Sequence, residues 1–219
     1  SSKHMNPFQK FVKMLSDIFV PIIPAIVAGG LLMGLNNIFT AKDLFYDGKS
    51  IIDVHSQFSG LADMINIFAN APFTLLPILI GFSAAKRFGG NPYLGAALGM
   101  ILVHPGLMSA YDFPKALEEG KAIPHWDVFG LHINEVGYQG QVLPMLVATY
   151  ILATIEKWLR KVIPTVLDNL LTPLLSIFIT AFITFLFVGP VTRQLGYWLS
   201  DGLTLSLIHI SEPTRPLYI

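Results

Sequence analysis

The stretch Gly137-Tyr138-Gln139-Gly140-Gln141 sets two carboxamides and a phenol among glycines, just ahead of the apolar run VLPMLVATYILATI. Carboxamides donate and accept, so at the loosened mouth of a membrane helix Tyr138, Gln139 and Gln141 can hydrogen-bond the hydroxyls of a polyhydroxylated ligand. The same residues also suit a polar helix N-terminus with capping amides, and both roles stand open. His104, followed by Pro105, falls near the end of another apolar run, where a polar group is costly. It either touches substrate or lines its path, or it is hydrogen-bonded in place beside a proline that stops the helix. Glu156 and Arg160 stand four apart on one helical face, as an ordinary ion pair does. His55, His125 and His132 are dispersed along the chain with no HxH or HExxH spacing, so no metal site is expected. The chain contains no cysteine, which excludes thiolate ligands, disulfides and cysteine nucleophiles. No catalytic residue and no cofactor are expected.

The elements that must position these residues are written in the charge pattern. Ile18–Ala41, Met64–Ala85, Phe88–Tyr111, Val136–Ile155 and Asn169–Thr192 carry no Asp, Glu, Lys or Arg. Each is about the length a helix needs to cross the roughly 30 Å hydrocarbon core of a bilayer. The segments between them alternate in sign: basic at Lys3, Lys10 and Lys13, mildly acidic from Lys42 to Asp63, basic at Lys86 and Arg87, acidic from Asp112 to Glu135, basic at Lys157, Arg160 and Lys161. Lys and Arg favour the cytoplasmic side, so the pattern predicts an all-α polytopic transmembrane bundle of about five spans with the N-terminus cytoplasmic. Composition agrees, with 53% hydrophobic and only 13% charged residues in 219, against about a quarter charged in soluble domains. Zero net charge and the lack of a basic block leave no electrostatic case for nucleic acid. A soluble helical protein would need nearly charge-free helices over twenty residues long, which a helix with one wet face rarely shows.

Along the chain, residues 1–13 read as a basic linker leading into an amphipathic turn. The first span carries Pro21 and Pro24, predicting a kinked helix. Gly30 and Gly34 form GxxxG, read as close packing within the bundle or as a dimer face. Gly89, Gly90, Asn91 and Pro92 make a tight inner turn, from which the third span runs to about Leu107. Asp112–Glu135 is an outer loop with a short helix and a hairpin around Phe129–Ile133. Val162–Leu171 is expected to lie along the inner interface. The fifth span, about Pro173–Val188, ends at Gly189-Pro190 and leaves Arg193 exposed outside. Residues 208–219 change character abruptly and read as a non-native tail.

With these motifs in view, FVPIIPAIVAGGLLMG, LPILIGFSAAKRFGGNPYLG followed by VHP, GYQGQVLPMLVA with IEKWLRKVIP, and LDNLLTPLL leading to Gly189-Pro190 resemble a known family. It is the membrane-spanning enzyme IIC component of the bacterial sugar phosphotransferase system, in the glucose superfamily, on the branch for trehalose, sucrose and β-glucosides. The resemblance covers about Asn6 to Leu207 and implies a multi-pass permease of the bacterial inner membrane. It binds a disaccharide, trehalose first and sucrose second, and moves it inward by an elevator-like step. The sugar is then phosphorylated by a partner, the cysteine-bearing enzyme IIB domain. The resemblance further implies about ten crossings and a homodimer. Residues 14–207 correspond to the first half of the domain, so little transport is expected from this stretch alone. Its Gly-x-His-His and Gly-Ile-Thr-Glu motifs have no counterpart here. A pore or assembly module that never handles sugar is the competing reading; the lack of membrane-embedded acidic residues argues against a cation channel.

Overall fold

The computed structural model describes residues 5–211 and is predominantly helical. Helix α1 (Pro7–Phe19) starts inside the expected linker, because Asn6 and Gln9 form a reciprocal capping box and Pro7 occupies the first turn. A 3₁₀ turn, Val20–Ile22, takes up the missing N–H of Pro21 and passes the chain into α2 (Ile23–Thr40). After the four-residue helix α3 (Ile51–Val54), α4 (Ser59–Thr74) packs along α2. Their contact uses Gly29, where an added Cβ would lie 2.8 Å from the Phe73 ring. Gly30 and Gly34 have open space instead, so the GxxxG pair does not pack helices within this chain.

Helices α5 (Leu76–Arg87) and α6 (Pro92–Leu102) form the tightest pair. A Cβ on Gly95 would stand 2.0 Å from the Gly81 carbonyl oxygen, and one on Gly81 would stand 2.1 Å from that of Gly95. Only glycine lets the two backbones meet there. Between lipid-immersed helices such contact has to come from van der Waals packing, because burying leucine against leucine gains nothing over burying it in acyl chains. Ile80, Leu98 and Leu102 fill the seam together with Met145 and Leu152 of α8 (Leu143–Val162).

Helix α9 (Thr165–Ile183) continues through Pro173, so the break expected between Val162–Leu171 and the fifth span is absent. Its buried stripe Thr172, Ser176, Thr180 recurs every fourth residue and continues into Thr184, a spacing of small side chains that lets α9 approach α8 closely. The helix also does not stop at Gly189-Pro190. A π-helical turn, Thr184–Val188, absorbs the proline's missing donor, and α10 (Gly189–Ser211) carries on. Between α6 and α8 lie α7 (Phe113–Glu118) and the antiparallel hairpin of β1 (His125–Val128) and β2 (Leu131–Asn134), where the sequence placed an outer loop with a hairpin.

Among the described residues, three continuous helical stretches are long and apolar enough to cross a membrane: Pro7–Thr40, Ser56–Arg87 and Thr165–Ile210. They match the first, second and fifth uncharged runs. The third run yields only the 11-residue α6, and α8 gathers Glu156, Lys157, Arg160 and Lys161 in its last two turns, which leaves too short an apolar stretch to span. The basic ends do converge. Arg87 pairs with Asp17 at 2.9 Å, and Lys157 donates to the Phe88 carbonyl at 2.7 Å. Glu156, 2% exposed, accepts from Asn91 N at 2.8 Å and from Arg160 at 2.7 Å. The expected Glu156–Arg160 pair thus exists and also fastens α8 to the α5–α6 turn.

Candidate functional site

Residues 137–142, just ahead of α8, are irregular, and neighbouring backbone groups meet their N–H donors. Tyr138 N donates to the Leu102 carbonyl at 2.8 Å, Gly140 N to that of Thr74 at 3.1 Å, and Gly137 N to that of Met108 at 2.7 Å. Gly140 takes a φ of +69°, where a side chain would be strained. These bonds stitch residues 137–140 to the ends of α4 and α6.

Each sequence candidate has a definite place. Gln139 is buried, and its Oε1 accepts from Ala110 N at 2.8 Å. Tyr138 is 2% exposed, with its ring between Phe185 and Arg193. Gln141 is half-buried, and its backbone N donates to the Tyr138 carbonyl at 3.2 Å. No side chain caps α8, so the capping role weighed for these amides is not the one they play. His104 is exposed, and its Nδ1 accepts from Gly106 N at 2.9 Å in the turn that ends α6. Its ring also lines a cavity of about 290 Å³ with Ile101, Trp126 and Phe185. His104 thus makes the structural hydrogen bond weighed for it, and its ring borders this cavity.

The residue that organises this region is one the sequence placed outside. Arg193 is 7% exposed, not solvated. Its Nη2 donates to the Gly137 carbonyl at 2.7 Å, and its guanidinium lies 4.3 Å from the Tyr138 ring centre and 4.7 Å from that of Phe113. It is the only charged residue between Asp168 and Asp201. An isolated charge inside a long apolar helix is a functional signal in its own right, and that signal was available. Arg193, Tyr138 and Phe113 join Asn134, Gln194 and Tyr197 around a cavity of about 190 Å³. Aromatic faces beside carboxamides, a phenol and a guanidinium offer apolar walls and directional hydrogen bonds together, the combination a small polar ligand needs. Asn134, Gln194 and Tyr197 had no local motif to mark them; only the fold brings them together.

The histidines also need correcting. His125 and His132, distant in sequence, are brought with Asp127 to within 4.8 Å ligand atom to ligand atom by the β1–β2 pairing. His55 stays apart, with Nε2 3.1 Å from the Tyr46 hydroxyl.

Comparison with known proteins matches residues 16–218 to the family model described as phosphotransferase system, EIIC. The sucrose-specific EIIBC component of Staphylococcus xylosus is 84% identical over 203 residues, covering 93% of this chain and 42% of that protein. The trehalose-specific EIIBC component of Bacillus subtilis (strain 168) is 51% identical over 203 residues, 93% of this chain and 43% of that protein. The sucrose-specific EIIBCA component of Pediococcus pentosaceus is 53% identical over 214 residues, 98% of this chain and 32% of that protein. The chain thus spans less than half the length of these relatives. No solved structure matches. With the long apolar helices, the broken segment between α6 and α8, and a match reaching over nearly all of its length, this chain belongs to the phosphotransferase system EIIC family.

Proposed function

We propose that the protein carrying this chain is a disaccharide permease of the phosphoenolpyruvate-dependent phosphotransferase system, with sucrose ahead of trehalose as substrate. The observation that carries this is the 84% identity to a sucrose-specific EIIBC component, against 51% to a trehalose-specific one. It reverses the order drawn from the motif resemblance. Uptake delivers the sugar as its 6-phosphate, with the phosphoryl group coming from a cysteine-bearing enzyme IIB domain; this chain supplies no cysteine of its own. The protein sits in the bacterial inner membrane and works as a homodimer, for which the open ridge of Gly30 and Gly34 on α2 offers a close-packing face.

Within the chain, sugar contact falls to Gln141 and His104 together with Asn134, Gln194 and Tyr197 of the 190 Å³ cavity. Gln139 holds the segment in shape, its carboxamide oxygen being engaged by Ala110 N, and Tyr138 offers its ring face to Arg193 and its phenol to the cavity. The test is uptake of labelled sucrose and labelled trehalose by a strain lacking other routes for either, expressing the full-length protein with and without its enzyme IIB function. Intracellular sucrose 6-phosphate that depends on enzyme IIB is expected. Accumulation of unmodified sugar, or faster entry of trehalose than of sucrose, defeats the proposal.

A further inference from the structure

The β1–β2 hairpin has two chemically different faces. Its register pairs His125 with Asn134, Trp126 with Ile133 and Asp127 with His132 across the strands. Side chains alternate along a strand, so Trp126 and Ile133 share one face and His125, Asp127 and His132 share the other. Ile133 is 3% exposed and Trp126 stands edge-on to Phe185 at 5.5 Å, which makes theirs the inner face. Phe129 and Gly130, both at positive φ, form the two-residue turn that fixes this register. A slip by one residue would reverse the faces, so the packing of Trp126 also locks the histidines outward.

The outer face gathers two imidazoles and one carboxylate. His125 Nε2 lies 3.4 Å from Asp127 Oδ2, and His132 Nδ1 lies 3.9 Å from Asp127 Oδ1. The two rings stack with centres 4.2 Å apart, and all three donor atoms fall within 4.8 Å of one another. Zinc bonds of about 2.0–2.2 Å in a tetrahedral shell set ligand atoms roughly 3.4 Å apart. The His125–Asp127 distance of 3.4 Å already matches such an edge, and His132 approaches the other carboxylate oxygen at 3.9 Å. Two nitrogen donors and a single carboxylate suit a transition ion and not Mg²⁺ or Ca²⁺, which require mostly oxygen.

We propose that His125, Asp127 and His132 bind one divalent transition-metal ion, best fitted by Zn²⁺, on the outer face of the hairpin. Solvent supplies the remaining position, since all three side chains are open to it. The ion cross-links β1 to β2 and so stiffens the strand that carries Trp126, which forms the wall of the His104 cavity. Metal binding here does not depend on the sugar assignment.

The test is calorimetric titration of the tag-free full-length protein in lipid nanodiscs with ZnCl₂, with MgCl₂ as control. One Zn²⁺ per chain is expected. Affinity should fall about tenfold or more in His125→Ala and in His132→Ala, and also in Asp127→Asn. Because the three side chains are exposed, the variants' metal-free unfolding midpoints should match the wild type. Co²⁺ gives an independent readout: the wild type should show the intense visible absorption of a low-symmetry nitrogen–oxygen site, and the His125→Ala/His132→Ala double variant should not. No zinc uptake by the wild type up to about 100 μM, a range of weak but real affinities, overturns the proposal. Equal uptake by wild type and double variant overturns it as well.

Discussion

Arg193 is a guanidinium buried without a carboxylate partner among the described residues, and replacing it tests how this segment is built. The hydrogen bond from its charged Nη2 to the Gly137 carbonyl contributes roughly 1.5–3 kcal/mol. The contacts over Tyr138 and Phe113 add about 0.5–1 kcal/mol each. Against these stands the desolvation of an unpaired charge whose Nε has no acceptor, a cost of several kcal/mol. The opposing terms are similar in size. Arg193→Met removes both sets and keeps an apolar stem, so global stability should change by no more than about 2 kcal/mol. Arg193→Lys keeps the desolvation cost and cannot lay a flat cation against two rings at once, so it should be the less stable variant. In both, the amides of residues 137–141 should exchange faster, because Gly137 loses its anchor. Thermal unfolding in detergent ranks the variants, and hydrogen exchange reads the segment. A lysine variant as stable as the wild type would refute the role given to the guanidinium plane. Unchanged exchange at 137–141 in the methionine variant would refute the anchor.

Further outcomes follow from contacts elsewhere in the fold. Gly95→Ala forces a Cβ onto the Gly81 carbonyl and should cost about 3 kcal/mol or more, seen as loss of monodisperse protein. Gly34→Ala meets open space, so it should leave the fold intact or stabilise it by about 0.5–1 kcal/mol. Glu156→Gln keeps an oxygen for Asn91 N but loses the charge facing half-exposed Arg160, at a cost of about 1–2 kcal/mol. Glu156→Ala also orphans the Asn91 amide and should lower the unfolding midpoint further; equal effects would remove Glu156 from the α5–α6 turn. Gln139→Ala should cost about 1–3 kcal/mol of stability by stranding Ala110 N. Gln141→Ala should leave stability alone and weaken sugar binding about tenfold, the worth of one good hydrogen bond. The reverse pattern in unfolding and binding assays would exchange the two roles.

What the sequence made legible was whatever is encoded in runs. Three long uncharged stretches became long helices because they are predominantly apolar and carry no charge, and the turn at 88–91 formed where Gly, Asn and Pro cluster. Glu156 and Arg160 met because helical spacing alone brings i and i+4 together. Features set by what lies across the fold stayed hidden. Gly189-Pro190 looked like a stop, yet a π turn one step earlier accommodates the proline. Gly30 and Gly34 carry a packing motif, but the glycines that bring backbones together are Gly81, Gly95 and Gly99, spaced across α5 and α6. Arg193 looked solvated because a charge following an apolar run usually marks the exit from the membrane. The ligand-spaced histidines were invisible because strand pairing joins them, not sequence distance.

The lengths of α5 and α6 place the candidate site more firmly than any single residue does. At 1.5 Å per residue the 11 residues of α6 rise about 16 Å and the 12 of α5 about 18 Å, half of a roughly 30 Å hydrocarbon core. Helix α5 ends and α6 begins at the basic turn tied to Glu156 and Lys157; with that turn at the membrane surface, Leu102 and Thr74, which hold Tyr138 and Gly140, fall near half depth. Irregular backbone at that depth survives only if its polar groups are met by protein or by a water-filled cavity. Residues 137–140 meet this condition through helix ends on one side and Arg193 on the other. The exposed charges of α7 and of the hairpin, reaching inward from there, then need water or protein beside them and not lipid. On the function proposed above, a polar pathway entered from the outer face satisfies both requirements, with Gln141 and His104 at its floor.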